Sequence, residues 1–514
     1  MNTSKLFSNQ SEYHMPIIKA IQSQFSELIP DCLKTSLSLT KGKKSFELCD
    51  TLTSLFPKLL ATQRHVLSAS SKKTLEVNSI KKRVAVLFSG GPAAGGHNVV
   101  AGLFDALKQI NPENELLGVL SGPKGLLDAR FISIAEKDSF FCTGGFDLLG
   151  TDRTKLSSQD QFEQVKQVVE EHAIDGLVIV GGDDSNTNAA FLAEYLDGIC
   201  VVVGCPKTID GDLQFGSLAP MSFGFDTATK VYAELVSNIM NDAASTQKYW
   251  HFVKLMGRNA SHVSLEVALK TQAHITLITE EIMQHNLDLS ALVARLAKAI
   301  KTREEAGFKY GVILIPEGVV DALQLSKDVL EPLLGEGYVY DSHGNLNVSA
   351  IDSAKLLADA LRGHMPEGTS IKTHFFGYEG RCATPSLFDN VYTYASGRLA
   401  ASLILENQTG YLAAISGFNE TLSFNAVPLE AMLHQETRQN SDVWVIKKAL
   451  VELDSPAYKQ FLANQESALL QETPLKVSPR QFFGPTAMDL PLSLMLNQGY
   501  DTDKMRCIDE QYNK

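Results

Sequence analysis

Cysteines are few in this chain of 514 residues, and no two of them form a CxxC pair. The seven cysteines are scattered, and an odd number at loose spacing argues against a disulfide framework or a zinc cluster. Long apolar runs are also lacking, since no stretch reaches the roughly 18 to 20 residues that a membrane-spanning helix needs. Residues 1–10 are polar and lack the apolar core of a signal peptide. We therefore expect a cytoplasmic protein that has no membrane as a partner.

The chain has fewer positively charged than negatively charged residues. The chain has 46 lysines and arginines against 59 aspartates and glutamates, which gives a formal net charge of −13. Such an acidic chain is not expected to bind nucleic acid or an anionic membrane as its main partner. An anionic small molecule stays open, because a local cluster of basic side chains determines the charge of one site. The hydrophobic content of 44% and the charged content of 20% are typical of a globular protein, and the length predicts two or more domains.

Residues 1–80 are predicted to form a helical N-terminal extension, because apolar residues recur there at helical spacing. From residue 83 onwards, short apolar runs alternate with amphipathic helices, which is typical of the α/β fold class with mainly parallel sheets. Strands are predicted at 84–88, 116–120, 177–180 and 200–204, and a second set at 251–255, 274–278 and 311–315.

The two sets of strands predict two Rossmann-like domains, each with three αβα layers and a mainly parallel sheet. The first domain is expected to cover 81–245 and to be rejoined by about 385–435. The second is expected to cover 246–384 with a helical insertion at about 319–370, and 436–514 to pack back on it. Helices are further predicted at 289–306, 395–405 and 442–453. Because such sheets bind ligands at the carboxyl ends of their strands, the residues that follow each strand are candidates for a site.

The most informative motif is the run GGDDSNT at residues 181–187, which directly follows the predicted strand 177–180. Glycine allows a sharp exit from the strand, and the helix start offers unpaired N–H groups. Asp183 and Asp184 would repel a bare anion there, but together with a hard cation they suit a phosphate ligand. The motif therefore indicates magnesium-assisted phosphoryl transfer. In the alternative interpretation, the two acids only cap the helix.

Two further motifs follow strands of the first domain. The glycines of SGGPAAGGHN at 89–98 would let backbone N–H groups approach a phosphate. This run lacks the ending of a Walker A loop and does not match GxGxxG, although a dinucleotide site stays open. The run CPKTIDGD at 205–212 offers Asp210 as a base for a hydroxyl proton, Lys207 as a cation for phosphates and Thr208 as a hydrogen-bonding group. Taken alone, it is equally typical of an Asx-rich loop.

Three motifs follow strands of the second domain. LMGR at 255–258 presents the guanidinium of Arg258 to a phosphate or to a developing negative charge. IPEG at 315–318 places Glu317 where it could hold a sugar hydroxyl, and GYEGR at 377–381 adds a second guanidinium, Arg381. Each motif alone is also typical of a surface turn. All six motifs fall at strand ends, however, and strand ends converge in space.

Together these segments resemble the phosphofructokinases, and specifically the pyrophosphate-dependent 6-phosphofructokinases of the long type. The matching segments are SGG at 89–91, GGDDS at 181–185, PKTIDGD at 206–212, MGR at 256–258, PEG at 316–318 and GYEGR at 377–381. They follow the family's order and approximate spacing from residue 83 to about residue 405. The resemblance implies the reversible conversion of pyrophosphate and fructose 6-phosphate into phosphate and fructose 1,6-bisphosphate, with Mg²⁺. The first domain would bind pyrophosphate and the metal, and the second the sugar phosphate.

The resemblance also implies roles for single residues. Asp183 would hold the metal, Gly90 would contact pyrophosphate through its backbone, and Asp210 would accept the proton of the sugar's 1-hydroxyl. Lys248 and Tyr249 fall where the family takes substrate contacts from a neighbouring subunit, which implies at least a homodimer. Further substrate-binding residues implied by the resemblance are Thr208, Ile209, Met256, Gly257, Arg258, Glu317, Tyr378, Glu379, Gly380 and Arg381, with Arg153 as an additional phosphate ligand.

Two residues bear on the identity of the phosphoryl donor. ATP-using relatives have a glycine at the position of Asp184, which leaves space for the α-phosphate of a nucleotide. A carboxylate in that space would repel ATP, because like charges about 4 Å apart in a partly dry site repel by several kcal/mol. Lys207, where ATP users usually lack a lysine, would supply a cation to the leaving phosphate. The resemblance thus favours pyrophosphate, with Asp210, Asp184, Lys207 and Arg258 as the catalytic residues.

Three other interpretations stay open. The nearest is an ATP-dependent phosphofructokinase. Another is a non-catalytic regulatory subunit of the same family, although such subunits have lost carboxylates that this chain keeps at Asp183, Asp210 and Asp212. The third is a dinucleotide-dependent oxidoreductase, which rests only on the glycine-rich loop and the α/β pattern.

Overall fold

The computed structural model describes residues 14–46, 48–61, 64–71, 81–258, 260–325, 351–365, 369–418, 421–438 and 441–472. The helices in these ranges are α1 (His14–Leu28), α2 (Asp50–Leu55), α3 (Gly96–Ile110), α4 (Gly122–Leu127), α5 (Gln159–Glu171), α6 (Asp183–Tyr195), α7 (Phe225–Thr246), α8 (His262–Thr271), α9 (Thr279–Gln284), α10 (Leu289–Glu305), α11 (Val319–Ala322), α12 (Ser353–Leu361), α13 (Tyr378–Arg381), α14 (Leu387–Leu405) and α15 (Pro456–Leu470). Short 3₁₀ turns lie at Asp31–Leu33, Arg362–His364 and Leu429–Met432. None of these helices has the length and apolarity to cross a membrane.

The strands of the described ranges form two larger sheets and one hairpin. They are β1 (Ser38–Ser45), β2 (His65–Ser70), β3 (Arg83–Phe88), β4 (Glu115–Val119), β5 (Phe131–Ser133), β6 (Gly176–Gly181), β7 (Val201–Thr208), β8 (Phe223–Gly224), β9 (Tyr249–Leu255), β10 (Ile275–Thr276), β11 (Gly311–Pro316), β12 (Ser370–Phe376), β13 (Tyr411–Ser416), β14 (Ser423–Pro428), β15 (Leu433–Arg438) and β16 (Ser441–Ile446).

The first sheet has the order β1-β2-β14-β13-β7-β6-β3-β4-β5, with β8 paired to β7. Its centre is parallel, because β3 pairs in parallel with both β4 and β6, and β7 with β6 and β13. The chain leaves β3 for β4 on one side and returns to β6 on the other. Strand order therefore reverses at β3, and the loops after β3 and β6 border the crevice where such sheets bind ligands.

The second sheet is parallel throughout and has the order β10-β11-β9-β12. From β9 the chain proceeds to β10 and β11 on one side and then crosses to β12 on the other. A second reversal of strand order thus lies at β9, next to the residues that follow Leu255. With the first sheet, this arrangement confirms the predicted α/β class with two domains and mainly parallel sheets.

Alternating side chains explain why the strands are covered on both faces. In β3, Val84, Val86 and Phe88 face one apolar core, whereas Ala85 and Leu87 face another. The same alternation in β9 sends Phe252 and Val253 to opposite faces. The core that holds Val84 also holds Val253, so a single apolar layer connects the two sheets.

Helix α14 lies inside that connecting layer and is buried on nearly every side, as expected of a helix that is apolar all round. It packs against α3 at unusually close range. A Cβ atom on Gly397 would lie 2.1 Å from the carbonyl oxygen of Val99, and one on Gly102 would lie 2.2 Å from that of Tyr394. The two backbones therefore meet where neither glycine has a side chain.

The N-terminal extension is not simply helical, and that prediction was wrong in part. Helices α1 and α2 are present, but Pro57 follows α2 closely and cannot donate the next helical hydrogen bond. Between and after the helices, β1 and β2 form an antiparallel pair that joins the first sheet through β14. The lysine-rich sequence of β1 and the short, serine-containing sequence of β2 carry little strand signal of their own, so pairing with a distant strand decides their structure.

The helix predicted at 442–453 was also wrong. Residues Ser441–Ile446 form β16 and pair with β15 in an antiparallel hairpin. Val443, Trp444 and Val445 are β-branched or aromatic residues, which favour a strand, and Val445 and Ile446 are both buried. The hairpin packs on α6 of the first domain, whereas α15 packs on the second domain, against α8 and α10. Residues 473–514, and 326–350 of the predicted insertion, lie outside the described residues.

The glycine contact between α3 and α14 leads to a stability prediction. Replacement of Gly397 by alanine places a Cβ against the Val99 carbonyl and forces the two helices apart. We expect Gly397→Ala to lower the free energy of unfolding in guanidinium by about 1–3 kcal/mol. Gly363→Ala is the matched control, because no atom lies within 4 Å of its added Cβ, and it should stay within about 0.5 kcal/mol of wild type. Equal stability of the two variants would contradict the close contact.

Candidate active site

A cleft of about 540 Å³ lies where the carboxyl ends of strands from both sheets meet. The loops after β3, β6 and β7 line it from the first domain, and the residues after β9, β11 and β12 line it from the second. The described residues that line it are Ser89, Gly90, Gly91, Pro92, Arg153, Thr154, Lys155, Gly182, Asp183, Asp184, Ser185, Asn188, Lys207, Thr208, Ile209, Asp210, Met256, Arg258, Glu317, Tyr378, Arg381 and Lys448.

The loops after β3 and β6 are fixed to each other below the cleft. The buried hydroxyl of Ser185 donates to the hydroxyl of Ser89 at 2.8 Å, and Ser89 N–H donates to the Val180 carbonyl at 2.8 Å. A Cβ on Gly181 would lie 2.3 Å from that of Ser185, so the turn from β6 into α6 needs glycine. These contacts fix the loops after β3 and β6, which are the two candidate phosphate-binding loops, relative to each other.

Gly90 has a positive φ of 84° and lines the cleft, as expected, but its backbone is already used. Its N–H donates to the Asp152 carbonyl at 2.9 Å, and its carbonyl accepts from the Thr151 hydroxyl at 2.8 Å. The N–H of Gly90 is therefore already paired within the chain, and the expected contact of its backbone with pyrophosphate stays a prediction. Because Gly90 has no side chain, the space next to Lys207 stays open. A Cβ at this position would lie 3.5 Å from Lys207 Nζ.

Asp183 and Asp184 form the first turn of α6, and both line the cleft. Asp183 is partly buried, and its Oδ2 receives no hydrogen bond of good geometry from the described residues. Lys448 forms an ion pair with Asp183, since its Nζ lies 3.3 Å from that oxygen. Asp184 is the more exposed of the two acids. Both carboxylates are thus placed at a helix N-terminus, where the helix dipole favours negative charge.

Lys207, near the end of β7, carries a buried cation. Its ammonium lies over the Phe146 ring at 5.6 Å, and that ring stacks on Phe88. Burial lowers the pKa of Lys207 to about 8, while the charges of Asp210 and Asp183 oppose the shift. A lysine in these surroundings is charged at neutral pH and gains most from an anion that enters the cleft.

Two acids follow Lys207 in the same loop. Burial raises the pKa of Asp210, a hydrogen bond from Arg258 N–H at 3.4 Å opposes the shift, and the charge of Glu317 adds to it. Burial and the charges of Asp210 and Asp183 raise the pKa of Asp212 to about 7. The Thr208 hydroxyl accepts from Asp210 N–H at 3.0 Å and so fixes the turn. Asp210 faces the cleft, which Asp212 does not line within the part of the chain that the structure describes.

Glu317 and the β9 end form the second domain's side of the cleft. Glu317 is buried, its Oε2 accepts from Gly257 N–H at 3.3 Å, and its Oε1 lies 3.5 Å from Lys254 Nζ. Gly257 has a φ of 148°, which favours glycine. Met256 and Arg258 on either side line the cleft, while Gly257 supports it through its N–H.

The GYEGR run forms α13 after β12, and its residues divide into two groups. Tyr378 and Arg381 line the cleft, with the Arg381 guanidinium 4.8 Å from the centre of the Tyr378 ring. Glu379 turns back to accept from Gly377 N–H at 2.8 Å, and a Cβ on Gly380 would lie 2.5 Å from the Tyr232 ring. Glu379 and Gly380 are not among the described residues that line the cleft. They therefore shape the turn rather than the surface of the cleft.

Arg381 reaches across to the first domain. A Cβ on Gly91 would lie 3.7 Å from Arg381 Nη1 and 3.8 Å from Arg153 Nη2. The charges of both guanidinium groups also lower the pKa of Lys207. Arg153, Lys207 and Arg381 thus converge beside the loop after β3 and form a local positive region in an acidic chain. An anion such as a phosphate ester fits this region.

Lys248 and Tyr249 do not belong to the cleft of their own chain. Tyr249 begins β9, whose other end leads to Met256, and a strand of that length spans about 20 Å. Both residues therefore lie at the opposite edge of the second sheet from the cleft. The Tyr249 ring contacts Lys372 and His251 there.

Sequence reasoning missed the basic residues Lys155, Lys254 and Lys448, of which Lys155 and Lys448 line the cleft. Lys448 lines the cleft from the extended chain after β16, and Lys254 lies within β9 beside Glu317. A lysine inside the apolar run 250–255 was a detectable signal for Lys254, because strand interiors seldom bury an unpaired cation. Lys448 had no such signal, since the region was expected to be helical.

Comparison with known proteins gives a family match. The Phosphofructokinase family model matches residues 83–404. A Porphyromonas gingivalis protein named pyrophosphate--fructose 6-phosphate 1-phosphotransferase is 38% identical over 89% of this chain and 94% of its own length. A Treponema pallidum protein of the same name is 40% identical over 79% of this chain and 81% of its own. An Arabidopsis thaliana protein named as the alpha 2 subunit of this enzyme is 31% identical over 96% of this chain and 90% of its own.

Solved structures support the fold. A pyrophosphate-dependent phosphofructokinase from Nitrosospira multiformis matches with a TM-score of 0.57 at 17% identity, over 75% of this chain and 92% of the other. One from Marinobacter aquaeolei matches with a TM-score of 0.54 at 17% identity, over 76% and 92%. At 17% sequence identity, the similarity to these two structures shows only that the fold is shared.

The lowered pKa of Lys207 predicts how anion binding depends on pH. Because the ammonium loses its proton as the pH rises through about 8, the affinity for inorganic pyrophosphate should fall over that range. Lys207→Arg is the control, since a guanidinium stays charged there and the ligand's own protonation is the same for both proteins. Titration calorimetry from about pH 7 to about pH 9.5 measures both affinities. Parallel pH profiles for the two proteins would contradict the assignment.

Proposed function

Because the chain belongs to the phosphofructokinase family, we propose that it transfers a phosphoryl group from inorganic pyrophosphate to the 1-hydroxyl of fructose 6-phosphate. The products are phosphate and fructose 1,6-bisphosphate, and the reaction is reversible. The names of the curated relatives support this reaction. The observation that carries it in this chain is a buried Lys207 facing the same cleft as Asp184 and Asp210.

Asp210 is the general base of the proposed reaction. Transfer to an alcohol requires a carboxylate that accepts the hydroxyl proton as the new bond forms. Asp210 lines the cleft between the Lys207 side and the Glu317 side. Its raised pKa makes it a better proton acceptor than an ordinary aspartate, and the Arg258 N–H holds its orientation. Thr208 and Ile209 complete the surface next to it.

Asp184 and Lys207 select the donor. Asp184 lines the cleft at the start of α6, where the resemblance places the α-phosphate of ATP in nucleotide-using relatives. A carboxylate about 4 Å from that phosphate would cost several kcal/mol of binding. Lys207 supplies positive charge to the leaving phosphate. Because Gly90 has no side chain, space stays open for that phosphate beside the Lys207 ammonium. Pyrophosphate, which lacks a nucleoside, fits such a site.

Asp183 fits the role of a magnesium ligand. Its Oδ2 is a buried oxygen without a hydrogen-bond donor of good geometry in the described ranges, and Mg²⁺ prefers oxygen ligands. The described residues hold no group of three or more His, Cys, Asp and Glu side chains suited to a metal. This suits an ion that takes most of its ligands from phosphates and water. When bound, Mg²⁺ would neutralise part of the charge of the donor phosphates.

The second domain's side of the cleft holds the sugar phosphate. Glu317, fixed by Lys254 and by Gly257 N–H, is placed to accept from sugar hydroxyls. Met256 and Arg258 flank it, and Tyr378 forms the exposed wall. Arg381, which the resemblance assigns to the 6-phosphate, lies close enough to Gly91 to contact both substrates.

A homodimer is part of the proposal. Lys248 and Tyr249 cannot reach the cleft of their own chain, and the resemblance assigns such residues to a neighbouring active site. Lys248 is exposed and Tyr249 partly so, which leaves them accessible to a second copy. The cytoplasmic location expected from the sequence stays a prediction.

The donor is tested by assaying the purified protein with pyrophosphate and with ATP side by side, with fructose 6-phosphate and with or without Mg²⁺. We expect turnover with pyrophosphate and Mg²⁺, loss of turnover after chelation, and little turnover with ATP. Asp184→Gly combined with Lys207→Gly should raise the ratio of ATP to pyrophosphate activity by about 100-fold or more, because the repulsion is removed. Asp197→Gly removes an exposed acid outside the cleft and should leave that ratio unchanged. ATP as the better donor of the wild type would overturn the proposal.

The base is tested by Asp210→Ser. Removal of a general base should lower kcat by about 10²- to 10⁴-fold with little change in KM for fructose 6-phosphate, because the group acts mainly in the transition state. Steady-state kinetics measures both constants. Asp212→Asn is the matched variant, since this acid lies two positions along the same loop. A small effect at Asp210 with a large one at Asp212 would move the role to Asp212.

A further inference from the structure

Residues 446–451, which run from the last residue of β16 towards α15, are hydrogen-bonded to both domains. On the first domain, Ile446 N–H donates to the Thr187 hydroxyl of α6 at 3.0 Å. Ala449 N–H donates to the Asp212 carbonyl at 2.7 Å, in the loop that carries Asp210. The 446–451 segment is therefore tied to two of the loops that build the donor side of the cleft.

The same segment is bonded to the second domain. His262 Nε2 of α8 lies 3.0 Å from the Ala449 carbonyl oxygen, so this peptide is held from both sides. Val451 N–H donates to Glu280 Oε1 of α9 at 2.9 Å. Glu280 is buried and also accepts from Ser261 N–H at 3.1 Å. The position of the segment is thus fixed relative to both sheets, although only its first residue, Ile446, belongs to a strand.

Lys448 is the residue of this segment that lines the cleft. Its Nζ lies 3.3 Å from Asp183 Oδ2, and its charge lowers the pKa of both Asp210 and Asp212. The pair with Asp183 is partly exposed, at 30% and 21% of the two side chains, and such a pair contributes little to stability. A need for fold stability therefore does not explain why a fixed backbone holds a cation here.

We propose that Lys448 is a phosphate-binding residue of the active site, placed by the 446–451 segment opposite the acids of α6 and the β7 loop. This inference rests on the proposed function and adds a second lysine to Lys207 for the pyrophosphate. Lys207 comes from within the first sheet, whereas Lys448 comes from a segment bonded to both domains. A phosphate beside Asp183 and Asp210 brings further negative charge, which cations of the protein must balance. Lys448 already lies close to these two acids.

Three variants test the proposal. Lys448→Met removes the charge and keeps most of the side-chain volume, and we expect KM for pyrophosphate to rise about 10- to 100-fold, as for loss of a charge-assisted hydrogen bond. Lys448→Arg should recover most of the affinity. Lys447→Met is the matched control, because it removes the same charge from the next residue, which is exposed and outside the described lining of the cleft. It should leave KM for pyrophosphate and kcat at wild-type values.

Direct binding separates this proposal from the proposed function. Calorimetry with inorganic pyrophosphate, without sugar or turnover, should show the same weakening in Lys448→Met and none in Lys447→Met. If the wild type binds pyrophosphate with these differences but does not turn it over, the proposed function fails and the assignment of Lys448 stands. If KM and affinity of Lys448→Met equal those of Lys447→Met, the assignment is overturned. Circular dichroism melting checks folding, and Lys448→Gln replaces the methionine variant if that variant unfolds.

Discussion

The burial of the Lys207 ammonium is the constraint on which the cleft depends. A buried cation is unfavourable unless opposite charge surrounds it, and Asp183 and Asp210 supply that charge. Arg153 and Arg381 approach from the other side and increase the positive charge again. This arrangement of charges favours the binding of a polyanion next to Lys207 and of a cation next to Asp183. Electrostatics thus connects the identity of the substrate with the burial of one side chain.

The fold brings these charges together because two parallel sheets present their carboxyl ends to the same space. The reversal of strand order at β3 and at β9 opens a crevice in each sheet. Helix α14 joins the sheets through one apolar layer, and its glycine contact with α3 fixes that layer at close range. Sites of phosphoryl transfer work mainly by positioning and charge, and this rigid base provides the positioning.

The sequence was sufficient for the fold class, the family and the residues that follow strands. Short continuous apolar runs and the motifs after them placed Asp183, Asp210 and Glu317 beside one cleft, and the resemblance to the phosphofructokinases is confirmed. Prediction failed for β1 and β2, whose structure depends on pairing with the distant β14, and for β16, which pairs with the neighbouring β15 in a hairpin. It also failed for Lys448, because only tertiary contacts on both domains carry that residue to the cleft.

The pairing of β2 with β14 has a consequence for how the chain is made. β2 ends at Ser70, whereas its partner begins at Ser423, so the ribosome completes nearly the whole protein before the two can meet. Until then the nascent β1–β2 pair exposes an open edge that can associate with other unfinished chains. The lysines of β1, SLTKGKKS, discourage association at the outer edge of the pair, whereas the edge of β2 stays open until β14 is made. One of the first parts to be synthesised is therefore among the last to reach its place.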